Sequence, residues 1–166
     1  ASKKVRGVSF TGSDATGRLI GEMAGRSLKP MVLELGGSDP FIVFNDGSID
    51  DCVEGAISSR FLNSGQSCIS AKRFIVHDDV YDEFLEMLKH SIASLNVGNP
   101  IQEETQVGPL AREDILDKIK SQVDQSVELG ANLVCGGERV RSKGYFYAPT
   151  ILTDITEDMP VYSQET

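Results

Sequence analysis

Short apolar runs closed by glycine or proline alternate along this chain with longer segments whose apolar residues recur every three or four positions. Residues 5–10, 31–35, 40–44, 72–76, 132–135 and 145–152 have the length and content of strands, the last broken by Pro149. Between them lie helical patterns: from Ser13 or Asp14 as N-cap through Met23-Ala24, then 49–63 capped by Ser48, 78–95 and 112–129. Strands separated by helices need crossover connections. The chain is therefore expected to be α/β, with a parallel or mixed sheet and flanking helices. The run 40–44 is almost wholly apolar, which predicts burial on both faces, as in parallel sheets.

Composition excludes several classes. Sixteen basic residues against 25 acidic ones give a net charge of −9, so no basic face is available for a nucleic acid backbone. No segment approaches the ~18 apolar residues of a membrane span, and the N-terminus has no apolar leader region. The three cysteines, Cys52, Cys68 and Cys135, show no Cys-x-x-Cys spacing, and only His77 and His90 could add imidazole. No metal site and no disulfide framework is expected, and a reducing, cytoplasmic setting fits. No internal repeat or low-complexity stretch occurs. Both ends are abrupt, which suggests a piece of a longer protein.

Few residues stand out chemically. Cys68 follows Asn63-Ser64-Gly65-Gln66-Ser67, between a helix stop and a strand, where a glycine lets a loop present a side chain to a pocket. The alternative is a small buried hydrophobe, the usual fate of a free cysteine and the one expected of Cys52 and Cys135. Glu34 interrupts an apolar strand just before Gly36-Gly37. At the carboxyl end of a parallel strand it would face the crevice where α/β folds bind ligands; at an edge it would point to water. Phe10-Thr11-Gly12-Ser13, with Gly17 one turn later, is a strand, turn and helix start that could hold phosphate or be an ordinary capped turn. His77 and His90 read as surface helix residues, and the Asp50-Asp51 and Glu103-Glu104 pairs as solvated.

Strand-Thr-Gly-Ser-helix, then Glu-Leu-Gly-Gly, then Gly-Gln-Ser-Cys, in this order and spacing, resembles the aldehyde dehydrogenase superfamily. The resemblance continues through Gly98-Asn99-Pro100, Gly108-Pro109, Cys135-Gly136-Gly137 and Gly144-Tyr145-Phe146 to Gln164-Glu165-Thr166, over essentially the whole chain. The segment from Leu33 to Val43 further resembles the bacterial succinate-semialdehyde dehydrogenase group. The resemblance implies that residues 1–34 end a dinucleotide-binding domain and that 35–166 form most of a catalytic domain. It places Cys68 at the nucleophile and Glu34 at the general base. Gly12, Ser13 and Gly17 fall near the cofactor pyrophosphate, Leu35 near the nicotinamide, and Glu165 on the nicotinamide ribose. The implied cofactor is NAD or NADP, the partner a small aldehyde, and the full-length form a homo-oligomer. The family's first coenzyme strands, adenosine-ribose lysine, oxyanion asparagine and C-terminal oligomerisation strand have no counterpart here, so the isolated segment is expected to be inactive.

This residue set suits aldehyde oxidation. A thiolate adds to the carbonyl, and the resulting alkoxide carbon can release hydride to leave a thioester. A carboxylate then serves as base for the water that hydrolyses it. Two rivals remain at this level. One is a CoA-acylating aldehyde dehydrogenase, whose members generally lack the glutamate seen here as Glu34. The other is a non-catalytic scaffold protein that keeps the fold.

Overall fold

The structure, a computed structural model, describes residues 2–166. Its elements are β1 (Val8–Thr11), α1 (Asp14–Arg26), β2 (Met31–Glu34), β3 (Asp39–Val43), α2 (Ile49–Phe61), β4 (Ala71–Val76), α3 (Tyr81–Ala93), α4 (Glu113–Glu128), β5 (Asn132–Cys135), β6 (Ile151–Thr153) and α5 (Pro160–Ser163). Two 3₁₀ turns, Leu62–Gly65 and Asp78–Val80, follow α2 and precede α3. Among the described residues the strands pair as three two-stranded sheets: β1–β2 and β3–β4 parallel, β5–β6 antiparallel. The α/β class expected from the sequence is the one found, with the pairing divided among these small sheets. The chain forms two compact units, Ala1–Gly37 and Ser38–Thr166.

The first unit is a strand, helix and parallel strand. Ser13 caps α1 by accepting a hydrogen bond from the Thr16 N–H, and Arg26 lies in the last turn, where a cation suits the helix dipole. The β1–β2 register runs from Val8↔Met31 to Thr11↔Glu34. Strand pairing therefore includes Thr11, which the sequence assigns to the turn, because the ladder extends until Gly12 N donates to Glu34 O at 3.0 Å.

In the second unit β3 and β4 pair Phe41↔Phe74, Ile42↔Ile75 and Val43↔Val76. Alternation sends Val43 and the Phe41–Phe74 pair, 5.4 Å between centroids, to one face. There they meet Val53 and Ala56 of α2 and Phe84, Leu88 and Ile92 of α3 in one buried cluster. The opposite positions, Ile42 and Ile75, are 55% and 53% exposed. This corrects the expectation of burial on both faces: the helices that join this cluster cover the Phe41–Val43 side of the pair. Cys52 and Cys135, expected in the core, pack against the cluster only half-buried, and burial pushes the Cys135 thiol up.

Three local expectations change. The 78–95 helix is split, since Asp78–Val80 is a 3₁₀ turn and the α-helix begins at Tyr81. His77 is accordingly a cap, its Nδ1 accepting from Asp79 N at 3.2 Å, while His90 is an exposed helix residue. The final strand is shorter than 145–152. Pro149 has no N–H to give, so Ile151–Thr153 alone forms β6, and Tyr147 makes an isolated bridge to Arg139.

Candidate functional site

In the first unit, the residues assigned to cofactor and base gather at the carboxyl end of the parallel pair. Glu34 is the last residue of β2, its side chain exposed, and Leu35 follows it. Gly17, one turn into α1, is buried against Leu35: a Cβ on Gly17 would lie 2.5 Å from Leu35 Cδ2. The missing side chain is thus the space in which Leu35 sits. Gly12 has the same relation to Phe10, whose ring would be 2.6 Å from an added Cβ. Ser13 Oγ is committed to the helix, accepting from Thr16 N and donating to Thr16 Oγ1 at 3.1 Å. The first turn of α1, like any helix start, has backbone N–H groups without intrahelical partners, of which that of Thr16 is capped by Ser13.

In the second unit, Cys68 is the exposed cysteine of the three, in a turn closed by Ser70 N donating to Ser67 O at 3.1 Å. The approach to that turn is unusual. Asn63, Ser64 and Gly65 lie in succession at φ 51°, 56° and 79°, the left-handed region. Glycine takes such angles freely and asparagine tolerates them, whereas serine is held there by its surroundings. Ser64 Oγ accepts from Gly108 N at 3.0 Å, Gln66 Oε1 accepts from Ala111 N at 2.9 Å, and Gln66 Nε2 donates to Asn63 O at 3.2 Å. Local strain of this kind persists where neighbours over-determine the backbone.

Two cations hold the same loop from beneath. Lys72, at the start of β4, has its side chain only 2% exposed. Its Nζ donates to Ser67 O at 3.0 Å and Cys68 O at 3.2 Å, and pairs with Glu165 Oε1 at 3.2 Å. Arg60, at the end of α2, reaches Gly65 O at 3.5 Å. Burial pushes its guanidinium below its ordinary value, with the Glu165 charge opposing. Both cations line a cavity of about 590 Å³ with Phe61, Ser64, Tyr147 and Thr166. Glu165 is anchored by its backbone as well, its carbonyl accepting from Lys118 Nζ at 3.2 Å and Gln122 Nε2 at 3.1 Å. Among the described residues no cluster of three or more metal-ligating side chains occurs, and no helix is long and apolar enough to cross a membrane.

Lys72 and Arg60 were not singled out from the sequence. Lys72 stands beside Arg73 at the charged start of its strand and so lacks the isolation that marks Glu34 among apolar neighbours. Arg60 carries no signal either, because a basic residue in a last helical turn is ordinary.

The first unit thus presents a capped strand–turn–helix, and the second an exposed thiol on a loop held by side-chain hydrogen bonds, within an α/β fold. The sequence model of the aldehyde dehydrogenase family matches residues 1–166, and the chain belongs to that family. It is 48% identical over 162 residues to the succinate-semialdehyde dehydrogenase [NADP(+)] of Mycobacterium avium (strain 104), covering 98% of this chain and 34% of the relative. A solved succinate-semialdehyde dehydrogenase from Burkholderia pseudomallei superposes with a TM-score of 0.91 at 42% identity, covering 97% of this chain and 33% of that one. An NAD+ complex of a Bacillus cereus aldehyde dehydrogenase gives 0.93 at 33% identity, with coverage of 97% and 33%. The chain thus spans about a third of the length of the relatives it matches. The family resemblance drawn from the sequence motifs holds.

Proposed function

We propose that the full-length protein carrying this chain oxidises an aldehyde, with succinate semialdehyde as substrate, to the carboxylic acid with NAD or NADP as oxidant. The observation that carries this is the presentation of Cys68: alone among the three cysteines it is exposed, on a loop fixed at Ser64, Gln66, Ser67 and its own carbonyl. The residues fit the cofactor. The open first turn of α1 suits a pyrophosphate, and the Glu165 carboxylate can accept from ribose hydroxyls at the oxygen that Lys72 does not use. The family's relatives named above point to both nicotinamide cofactors.

Cys68 Sγ adds to the aldehyde carbon, forming a C–S bond and placing negative charge on the former carbonyl oxygen. Hydride acceptance, which turns this adduct into a thioester, is the chemistry that a bound nicotinamide dinucleotide supplies. Glu34, at the carboxyl end of β2, takes a proton from water onto its carboxylate. The oxygen so activated attacks the acyl carbon, the C–S bond breaks, and Cys68 leaves as thiolate with the acid released. The unit up to Gly37 serves the cofactor and the base, the unit from Ser38 carries the nucleophile, and the full-length protein self-associates.

Three measurements on the full-length protein test this. Cys68→Ser should abolish NAD(P)H formation while cofactor still binds; formation at the wild-type rate would refute the nucleophile. Glu34→Gln should accumulate an acyl adduct on Cys68 visible by mass spectrometry. A panel of aldehydes with both cofactors, run with and without CoA, separates hydrolytic from CoA-acylating turnover and identifies the substrate.

A further inference from the structure

We infer that Lys72 is a positioning residue that clamps the Cys68 loop to Glu165. An ammonium has three N–H donors, and Lys72 uses one each on Ser67 O, Cys68 O and Glu165 Oε1. These three acceptors come from two stretches of chain far apart in sequence: the turn before β4, and the segment after α5. At 2% exposure the side chain has given up hydration for this one set of contacts. Burying one member of an ion pair is a poor means of stability, since a well-packed apolar residue usually does as well. The pair's particular geometry is what an apolar residue could not supply: it fixes the carbonyl of Cys68 itself and one oxygen of Glu165 relative to each other.

The rest of the neighbourhood leaves this task to Lys72. Arg60 hydrogen-bonds the loop at Gly65 O, at 3.5 Å, three residues before the thiol, and meets Glu165 through charge without a hydrogen bond. Lys118 and Gln122 hold the backbone of Glu165, leaving its carboxylate free to be steered. The inference rests on the reading of Cys68 as nucleophile and Glu165 as ribose ligand, and extends it: one buried cation sets the distance between the two.

The full-length protein is compared as wild type, Lys72→Met, Lys72→Arg, Glu165→Ala and the Lys72→Met/Glu165→Ala double variant. Turnover, aldehyde KM, the dissociation constants of NAD+ and NADP+, and the rate of Cys68 alkylation by iodoacetamide are measured for each. Lys72→Met is expected to lower kcat at least tenfold and weaken cofactor binding at least threefold, with aldehyde KM within twofold. Lys72→Arg should restore part of both losses. The double variant should be no worse than the poorer single one, because both cut the same link. Losses that multiply, or kcat and cofactor affinity within twofold of wild type in Lys72→Met, would overturn the clamp. If Lys72→Met does not fold, Glu165→Ala decides: the Glu165 side chain is 39% exposed and not a core element, and the clamp requires Cys68 alkylation to shift at least threefold. Unchanged alkylation there overturns the inference. Alkylation needs no turnover, so an error in the proposed reaction would leave this arm intact, whereas Cys68→Ser tests the reaction without involving Lys72.

Discussion

At Gly136 the backbone sits at φ 78°, and an added Cβ would lie 2.3 Å from Pro149 O and 2.8 Å from Thr150 Cα. Neither neighbour is a side-chain tip that can swing aside. Gly136→Ala should therefore cost about 2–5 kcal/mol, combining a left-handed penalty of ~1–2 with overpacking of ~1–3. Urea unfolding, read as a lower midpoint at constant slope, checks it. Tyr147 makes a different kind of prediction. Its ring is buried, its hydroxyl has no hydrogen-bond partner among the described residues, and its pKa is pushed up to about 12, first by burial and then by the Asp124 charge. An unfolded tyrosine releases its proton near pH ~10, so above that pH the native state holds the extra proton. This contribution is complete below pH ~10 and is lost as pH rises through about 12. Denaturation at pH 9 and 11 should show the drop, and Tyr147→Phe should flatten it.

Helix α2 shows how far one element follows local rules. Ser48 Oγ accepts from Asp51 N at 3.3 Å, and Asp50 and Asp51 occupy the first turn, where the dipole favours them. Ser48→Ala should lower stability by ~1 kcal/mol, the usual cost of a lost N-cap, measurable as a shifted thermal midpoint. The other end of α2 does not follow local rules. Ser64 gains a left-handed conformation from a contact with Gly108, 44 residues away, and no property of a serine in isolation predicts it. The same division runs through β4. The strand itself was readable from residues 72–76, but its Lys72 side chain answers to Glu165, 93 positions later.

For the molecule as a whole, the core of the second unit joins β3, α2 and α3 at Phe84, which is 2% exposed and 6.4 Å from the Phe74 ring. Phe84→Ala should cost ~3–5 kcal/mol, a large share of the ~5–15 kcal/mol by which folded proteins are usually stable, seen as a lowered calorimetric transition. The sequence determined the α/β class, the helix cap at Ser48, the strand at 132–135 and the family, and it narrowed the first helix cap to Ser13 or Asp14. Each is set by neighbours a few residues away or by motifs spread along the chain. Only the tertiary structure decided the exposed face at Ile42 and Ile75, the triple left-handed run at residues 63–65, and the burial of Lys72 and Arg60 beneath the Cys68 loop. Alternation says which residues share a face, and not whether that face is covered. A buried cation is stable only beside acceptors brought in from elsewhere, and those exist only once the chain has folded.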